Sequence, residues 1–222
     1  MTSQSIAIIG GTGPQGKGLG YRLARAGHEV ILGSRDEERA RAAADELATR
    51  LEGPACVSGA TNLEAARKAD TVLLAVPYDG HDELVASLRE VVAGKVVISC
   101  VNPLGFDKHG SFGLDVPHGS AAESAAALLP ESTVVGAFHH LSAVTLITDE
   151  PLSEHALVCG DDKAAKQAVI ELARAVTGRP GVDAGRLRLA RQLEPLTAVL
   201  ISVNRAYKAH SGIRVTGLPP VA

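Results

Sequence analysis

The sequence has neither a surplus of positive charge nor a long apolar run. Its 222 residues include 22 Lys and Arg against 25 Asp and Glu, a net charge of −3, and the basic residues form no cluster. Because such a chain attracts a phosphate backbone only weakly, we expect no nucleic-acid partner. No apolar run approaches the ~20 residues of a membrane-spanning helix, and the opening MTSQS lacks the basic region of a targeting signal. We therefore expect no contact with a membrane.

Cysteine is also scarce. Cys56, Cys100 and Cys159 are odd in number, widely spaced and embedded in apolar segments. This arrangement is typical of buried free thiols in a reducing compartment. The sequence therefore predicts three buried thiols and a cytoplasmic location.

Familiar catalytic motifs are missing as well. The sequence contains no SxxxYxxxK, GxSxG, HxH or HExxH pattern, and no carboxylate pair in a distinctive setting. For alcohol oxidation the lack of a base is awkward, because a substrate proton must be accepted. Hydride exchange between two cofactors needs no such residue, since the cofactors carry the chemistry and the protein supplies position and electrostatics.

What is present is a regular alternation of strand and helix patterns up to about residue 140. Short apolar runs without a polar alternate face are typical of parallel strands covered on both sides. We predict strands at Ser5–Ile9, Glu29–Leu32, Ala55–Ser58, Thr71–Val76, Lys95–Val101 and Thr133–Phe138, and helices at Pro14–Ala26, Asp36–Leu51, Asn62–Lys68, His81–Val92 and Ser120–Leu129. This order predicts an α/β fold with a doubly wound parallel sheet, the Rossmann dinucleotide-binding fold, over residues 1–140.

Beyond residue 140 the pattern changes, and we expect a smaller C-terminal α/β lobe over residues 141–222. A short strand at Ala156–Cys159 leads into a helix that ends near Val176, before the breaker sequence GRPG. The segment Arg186–Ala209 has apolar residues at intervals of three and four, which predicts an amphipathic helix that Pro195 should kink or divide. Its apolar face, expected to pack within the chain or on a second subunit, comprises Leu189, Leu193, Leu196, Leu200 and Val203.

A glycine-rich turn follows the first predicted strand and opens the first predicted helix. The residues that fit the pattern GxGxxG are Gly11, Thr12, Gly13, Pro14, Gln15 and Gly16. In this setting the first glycine makes the tight turn, the second lets a pyrophosphate approach the backbone, and the third lets helix and strand pack closely. The phosphate then rests at the positive end of the helix dipole. The alternative is a glycine turn that binds nothing, but the agreement of strand, turn, helix and strand favours a nucleotide site.

Ser34 and Arg35 stand where an acidic residue would complete an NAD-binding unit. An acidic side chain would bind the 2′-hydroxyl of NAD, whereas a hydroxyl and a guanidinium can bind the 2′-phosphate of NADP. Arg39, one helical turn beyond Arg35, can reach the same phosphate, and we expect Asp36 to cap the helix with its carboxylate turned away. These residues favour NADP. In the alternative, both arginines are solvated and pair with the glutamates that follow Asp36.

The carboxyl ends of the later strands are the expected ligand edge of the sheet. They supply Val76 and Pro77, then Asn102, then His139 and His140. Pro77 can form a flat apolar wall against a nicotinamide and Asn102 can offer an amide, although either residue could equally shape a turn. Since successive strand side chains face opposite ways, we expect one histidine of the pair to face the core, and the spacing does not predict a metal site.

Taken together, these motifs resemble a known family, the NADP-dependent oxidoreductases of the deazaflavin coenzyme F420. The resemblance covers nearly the whole chain and rests on IGGTGPQGKGL, GSRDEERA, AVPYDGH, HGSAAE, VCGDD and VDAG followed by ARQLEPLTAVLISVNRAY. The glycine motif is shared widely, whereas GSR combined with VCGDD and DAG…LEPLT is far more specific. Cytosolic domains of membrane metalloreductases and pyrroline-carboxylate reductases share the first block but lack such a tail.

The resemblance implies roles for individual residues. Those implied to hold the adenosine 2′-phosphate of NADP are Thr12, Ser34, Arg35 and Arg39. The turn Gly11–Gly16 would hold the pyrophosphate, and Pro77 would lie against the nicotinamide. The deazaflavin ring would stack there with its C5 facing the nicotinamide C4. Candidates for its pocket are Asn102, His139, Leu141 and Ser142. The family resemblance also implies a homodimer.

Two segments differ from the family pattern. HHLSAVTLIT replaces a stretch that is richer in proline and contains a charged residue, and the loop from Gly105 to Gly119 is longer. For the anionic tail of the deazaflavin, the candidates on charge alone are Lys108, His109 and Arg186.

The function implied is reversible hydride exchange between reduced coenzyme F420 and NADP, with no metal and no covalent intermediate. Two alternatives stay open. One is an NADPH-binding redox sensor that acts through a partner without turnover, and the other is an NADPH-dependent reductase of another small acceptor such as an imine, a flavin or a metal chelate. A second pocket beside the nicotinamide would favour the enzyme over the sensor.

Overall fold

One eight-stranded sheet runs through the structure, a computed structural model that describes residues 3–51 and 56–219. In chain order the strands are β1 (Ser5–Ile9), β2 (Glu29–Ser34), β3 (Val57–Thr61), β4 (Thr71–Leu74), β5 (Val96–Ser99), β6 (Leu104–Asp107), β7 (Gly110–Gly113), β8 (Thr133–Gly136), β9 (Leu157–Gly160) and β10 (Val182–Asp183). The sheet order is β10-β9-β8-β5-β4-β1-β2-β3, and β6 and β7 form a separate antiparallel hairpin. All neighbours in the sheet are parallel except β8 and β9. The predicted doubly wound α/β fold is confirmed.

Helices cover both faces of this sheet. They are α1 (Pro14–Arg25), α2 (Glu37–Arg50), α3 (Asn62–Lys68), α4 (His81–Leu88), α5 (Ala121–Leu128), α6 (Ala143–Leu146), α7 (Lys163–Thr177) and α8 (Ala190–Tyr207), with a 3₁₀ turn at Leu187–Leu189. One apolar cluster joins Ile6 and Ile8 to side chains of α1 and α7. A second cluster on the opposite face joins Ala7 and Ile9 to side chains of α3, α4 and α5. The strands therefore alternate between two apolar faces, as expected for a sheet buried on both sides.

Several predicted elements end earlier in the structure than in the sequence pattern. The strands predicted to Val76, Val101 and Phe138 end at Leu74, Ser99 and Gly136, and α4 ends at Leu88 rather than Val92. Apolar character continues past the ends of β5 and β8 because Val101 and Phe138 are buried although they no longer belong to a strand. Ala55, the first residue of the strand predicted at Ala55–Ser58, lies outside the described residues, and β3 begins at Val57, after Cys56.

The C-terminal part of the chain extends the same sheet. β9 adds antiparallel to β8, and β10 adds parallel to β9. Arg22 of α1 is buried and donates to the carbonyl oxygens of Thr145, Leu146 and Glu150, at 2.9, 2.9 and 2.8 Å. These contacts bind residues 145–150 to the first helix. The division into units 1–140 and 141–222 stays a prediction.

Three features of the sequence prediction need correction. Pro195 lies inside α8, which runs unbroken from Ala190 to Tyr207, so of the kink or division expected at Pro195 the division is wrong, and the kink stays a prediction. A proline removes one intrahelical bond, and the turns on either side still hold the helix. Cys56 is exposed rather than buried, because it precedes β3 at the edge of the sheet. Cys100 and Cys159 are buried as predicted, and desolvation raises the pKa of each thiol to about 12.

The third correction concerns the loop expected between Gly105 and Gly119, where the structure has the β6–β7 hairpin. Its turn is stabilised by Asp107, whose Oδ1 accepts from the amides of His109 and Gly110 at 2.7 and 3.2 Å. Gly110 has φ +125°, which favours glycine. Across the described ranges, no helix is long and apolar enough to cross a membrane.

Candidate active site

The glycine turn joins β1 to α1 through backbone contacts that leave no room for larger residues. The Gly11 amide donates to the carbonyl oxygens of Ile8 and Gly33, at 3.0 and 2.9 Å. A Cβ added at Gly16 would lie 2.7 Å from the Cα of Gly11 and 2.8 Å from the carbonyl oxygen of Gly10. Glycine at position 16 therefore lets α1 start directly against the turn, as the motif requires.

The N-terminus of α1 can receive an anion. Gly13 is its N-cap and provides no side chain to cap the helix, and Pro14 occupies the first turn. The first amides of an α-helix have no intrahelical acceptor and carry partial positive charge. Gln15 and Gly16 present amides at this end, so the cradle fits a pyrophosphate.

Asn62 stabilises the edge of the sheet where the nucleotide is expected, a role that the sequence did not predict. Its side chain is buried, and its Oδ1 accepts from the Gly10 amide at 3.3 Å. A Cβ added at Gly33 would lie 2.8 Å from the same oxygen. Asn62 thus joins the ends of β1 and β2 from the first residue of α3. The sequence shows it only as a helix start, and nothing in its spacing indicates this contact.

Ser34, Arg35 and Arg39 lie at the end of β2 and the beginning of α2. Ser34 is buried and its Oγ accepts from the Asp36 amide at 3.2 Å. Asp36 caps α2 as expected, accepting from the amides of Glu38 and Arg39 at 3.0 and 3.2 Å. Serine and arginine are therefore held at the edge where the 2′-phosphate is expected.

The two arginines at this edge are exposed, and neither forms an ion pair with a described residue. Glu37, one of the glutamates considered as a partner, instead pairs with Arg41 at 2.5 Å. Arg35 lines the neighbouring cleft, whereas Arg39 does not. Arg35 is therefore better placed than Arg39 to meet a ligand in that cleft.

A cleft of about 910 Å³ runs from Arg35 towards the middle of the sheet. One wall is formed by residues 77–83, which span the segment after β4 and the first turn of α4, and the other by the hairpin side chains of Leu104 and Phe106. Pro77 and Asn102 also line an adjoining pocket of about 330 Å³. The other residues around that smaller pocket are Gly13, Pro14, Gln15, Ala75, Val76, Cys100, His139, Leu141 and Thr197.

The smaller pocket brings together eight of the residues selected from the sequence, namely Gly13, Pro14, Gln15, Val76, Pro77, Asn102, His139 and Leu141. The selected residues that line neither cavity are Gly11, Thr12, Gly16, Ser34, Arg39 and Ser142. Thr197 was missed, although it stands in the quoted LEPLT motif, because only the tertiary packing of α8 brings it to the strand ends.

Polar contacts at the pocket converge on one carbonyl group. The His139 carbonyl oxygen accepts from Asn102 Nδ2 at 3.0 Å and from Thr197 Oγ1 at 3.1 Å. Gln15 Nε2 donates to the carbonyl oxygen of Phe138 at 3.4 Å. Phe138 has φ +65°, a strained value for a bulky residue, and such strain is found at binding sites.

Three buried polar atoms at this place have no hydrogen-bond partner among the described residues: Asn102 Oδ1, His139 Nδ1 and His139 Nε2. Buried polar atoms normally have partners, so these atoms are candidates to bind a ligand. Burial and the neighbouring His140 lower the pKa of His139 to about 3, which keeps its ring neutral. A neutral imidazole can offer one donor and one acceptor to a ligand.

Both strand-end histidines are buried, whereas the sequence predicted only one of them facing the core. The strand ends at Gly136, so the alternation of side chains no longer applies to His139 and His140. His140 Nε2 donates to the Leu193 carbonyl oxygen at 2.6 Å, and burial lowers the pKa of His140. Within the described part of the chain, no group of His, Cys, Asp or Glu is arranged to hold a metal ion.

The cations suggested for an anionic tail do not line either cavity. Lys108 and His109 lie in the turn of the β6–β7 hairpin, and Arg186 stands 3.8 Å from Asp161. Ser142 is at the N-cap of α6 and its side chain forms no capping bond.

A doubly wound sheet, a glycine turn opening an uncapped helix, and a pocket at the strand ends define a dinucleotide-binding protein of the Rossmann class. Residues 5–103 match the family model described as "NADP oxidoreductase coenzyme F420-dependent". The chain is 42% identical to an F420-dependent NADP reductase of Methanothermobacter thermautotrophicus, across 96% of this chain and 95% of that protein. It is 40% identical to an F420-dependent NADP reductase of Methanocaldococcus jannaschii, across 96% and 98%.

Among solved structures, the chain resembles a candidate F420-dependent NADP reductase of Arthrobacter sp. FB24, with a TM-score of 0.78 and 27% identity over 94% of this chain and 96% of that one. The chain therefore belongs to the family of coenzyme F420-dependent NADP oxidoreductases. The resemblance stated from the sequence motifs is confirmed.

Proposed function

We propose that this enzyme transfers a hydride reversibly between coenzyme F420 and NADP. The observation that carries the proposal is the 330 Å³ pocket, which adjoins the Arg35 cleft and shares Pro77 and Asn102 with it. Its place beside the glycine turn gives room for a second ring next to the nicotinamide. A sensor that binds NADPH alone would not need that room.

The NADP half of the site is proposed to extend along the edge of the sheet. The turn Gly11–Gly16 and the N-terminus of α1 would hold the pyrophosphate. Arg35 would bind the 2′-phosphate by charge-assisted hydrogen bonds, with Ser34 beside it and Arg39 one turn further along α2. Thr12 stays a candidate contact for the same phosphate. Val76 and Pro77 would form the wall of the nicotinamide site.

The deazaflavin half is proposed to lie against the opposite side of the smaller pocket. Asn102, His139 and Leu141 line that pocket, and Ser142 follows directly. Among the residues that line this pocket, Asn102 Oδ1 and the His139 ring nitrogens are buried atoms without a hydrogen-bond partner in the described chain. Their hydrogen bonds would orient the polar edge of the ring, while Pro77 and Leu141 exclude water from its face.

Bound reduced coenzyme F420 would supply a hydride to NADP and release one proton. The chain's own contribution is to position the two rings and to keep water out, which can lower the barrier without a protein base. His139 is neutral and does not act as the acid in this scheme. Released protons make the equilibrium depend on pH as well as on the cofactor ratio.

The oligomeric state is also part of the proposal. Val199 and Tyr207 of α8 are 55% and 77% exposed, and Leu196 and Leu200 are half-buried. Exposed apolar residues on one helix often mark a protein interface. We propose that this face of α8 forms a homodimer. The buried free thiols Cys100 and Cys159 support a cytoplasmic location.

The visible absorbance of oxidised coenzyme F420 tests the function. We expect the purified protein to bleach it with NADPH and much more slowly with NADH. Binding of NADPH without bleaching would leave the sensor or the reductase of another acceptor. Equal rates with both nicotinamides would remove Ser34 and Arg35 from the recognition of NADP.

A further inference from the structure

Glu194 is a buried carboxylate for which the binding of the two cofactors gives no role. Its side chain is only 1% exposed. Glu194 Oε2 accepts from the Ala121 amide at 2.8 Å, and Oε1 accepts from the Ala122 amide at 3.0 Å. Both oxygens thus bind the first turn of α5, where the helix dipole stabilises negative charge.

Leu193 and Thr197, which lie near Glu194 on α8, form hydrogen bonds with the two histidines that follow β8. The Leu193 carbonyl oxygen accepts from His140 Nε2 at 2.6 Å. Thr197 Oγ1 donates to the His139 carbonyl oxygen at 3.1 Å, and both Thr197 and His139 line the smaller pocket. One segment of α8 therefore contacts α5 on one side and the strand-end histidines on the other.

We propose that Glu194 is a positioning residue for the deazaflavin side of the site. By binding two amides of α5, it fixes the part of α8 that places Thr197 and His139 around the pocket. The identity of the ring in that pocket rests on the proposed function. Glu194 itself lies outside the residues that line either cavity, so its effect is transmitted through the position of α8.

The charge of Glu194 changes close to neutral pH. Desolvation raises the pKa of Glu194 to about 7, and the nearby Glu123 adds to this rise. The hydrogen bonds from the two α5 amides act in the opposite direction and lower the pKa. A protonated carboxyl offers a donor where the Ala121 or Ala122 amide needs an acceptor. The contact between α8 and α5 should therefore weaken as the pH falls through about 7.

Other ionisable groups around Glu194 need to be distinguished from it. Glu123 of α5 pairs with Arg191 at 2.7 Å, which lowers the pKa of Glu123. Burial raises the pKa values of Tyr78, before α4, and Cys159, on β9, and the charge of Glu194 adds to both shifts. Of the histidines at the β8 end, His139 has a pKa of about 3 and His140 a lowered pKa. Glu123 and the two histidines remain in a Glu194 variant, and Tyr78 and Cys159 have raised pKa values, so the difference between variant and wild type near pH 7 reports on Glu194.

The test is Glu194→Gln, measured by the dissociation constants of oxidised coenzyme F420 and of NADP across a range of pH. Glutamine keeps the shape but replaces one acceptor with a donor that faces an α5 amide. We expect the dissociation constant for F420 to rise about tenfold above neutral pH, the scale of one lost buried hydrogen bond, with that for NADP nearly unchanged. As the pH falls below about 7, the dissociation constant of the wild type for F420 should rise towards that of the variant.

Asp162→Asn is the matched control, because Asp162 caps α7 by accepting from the Ala165 amide at 2.8 Å and does not line either cavity. It should leave both dissociation constants unchanged. If Glu194→Gln does not fold, Glu194→Asp is the second variant, because it keeps the charge on a shorter side chain. It should still weaken the binding of F420 more than the binding of NADP.

Unchanged F420 binding in a folded Glu194 variant would overturn the positioning role while leaving the proposed function intact. An equal rise in the dissociation constants of both cofactors would also overturn the positioning role, because such a rise would indicate a general loss of structure. If the wild type does not bind F420 at all, the proposed function fails and this inference with it.

Discussion

Single side chains at the end of β2 are proposed to determine which nicotinamide cofactor the site prefers. Arg35 is exposed, lines the larger cleft and forms no ion pair with a described residue. Arg41 pairs with Glu37 on the same helix and does not line the cleft. These two arginines differ in surroundings, although both are exposed in the same part of the chain.

Arg35→Ala should weaken NADP binding by about 2 to 3 kcal/mol, the scale of a lost hydrogen bond between charged groups. NAD binding should change little, because NAD lacks the 2′-phosphate. Calorimetric titration of both cofactors checks this, with Arg41→Ala as the control that should leave NADP binding unchanged. Equal losses for NADP and NAD would remove Arg35 from the phosphate site.

The glycines of the turn differ in how much space surrounds them for an added Cβ atom. A Cβ at Gly16 would lie 2.7 Å from a backbone atom of Gly11, whereas a Cβ at Gly13 would meet nothing closer than the Gly10 carbonyl oxygen at 3.5 Å. Gly16→Ala should therefore push α1 from the turn, lower the thermal midpoint and weaken NADP. Gly13→Ala should leave the midpoint nearly unchanged. The reverse order in differential scanning calorimetry would show that the turn is not packed as described.

The raised pKa of Glu194 predicts that part of the free energy of unfolding depends on pH. Desolvation raises its folded-state pKa to about 7 from the ordinary value of 4.5. The carboxylate form makes the better contact with α5, but the cost of burying its charge outweighs the two amide bonds, which is why the pKa is raised. Glu194 therefore favours folding most below its unfolded pKa, and this contribution is lost as the pH rises through about 7. Urea unfolding at about pH 5 and about pH 8 should show a larger pH-dependent loss for wild type than for Glu194→Gln. Identical pH dependence in the two proteins would contradict the assignment.

At the scale of elements, helix caps give a prediction independent of the ligand. Asp162 caps α7, whose apolar side packs on the sheet. Asp162→Ala should lower the free energy of unfolding by about 1 kcal/mol, while Asp162→Asn retains most of the stability because asparagine also caps helices. Chemical denaturation compares the three proteins. No loss in the alanine variant would mean that the carboxylate does not stabilise α7.

Most elements of the fold could be predicted because each carries its own pattern. Asn62–Lys68 was predicted with the observed bounds, since a capping residue precedes it and basic residues end it. The β6–β7 hairpin was missed, although the polar turn around Asp107 and Gly110 was readable. Asn62, Glu194 and Thr197 could not be assigned, because their roles depend on contacts with residues far away in the sequence.

At the scale of the whole molecule, α8 has one side packed in the core and one side exposed to solvent. Leu193 and Ala198 belong to its buried side, while Val199 and Tyr207 are exposed. The hairpin packs on α8 through Ser111, whose Oγ donates to the Ala198 carbonyl oxygen at 2.9 Å. A second copy on the exposed face would therefore lie close to elements that surround the proposed active site.

Leu196→Glu should convert the proposed homodimer into a folded monomer, because a charge buried in an apolar interface is unfavourable. Light scattering after size exclusion gives the mass, and circular dichroism checks the fold. Leu63→Glu is the control, since Leu63 is 40% exposed on α3, away from this face. A dimeric Leu196→Glu protein, or a monomeric wild type, would contradict the proposed interface. Unfolding of the variant would assign the face to the core.

The most direct test of hydride exchange follows the hydrogen itself. Coenzyme F420 is reduced by the protein with NADPH that carries deuterium at both C4 positions, and the product is analysed by mass spectrometry. Adjacent rings in the two joined cavities predict that one deuterium appears at C5 of the deazaflavin and none is lost to water. A reduced deazaflavin without deuterium, or NADPH that remains unconsumed, would contradict direct transfer.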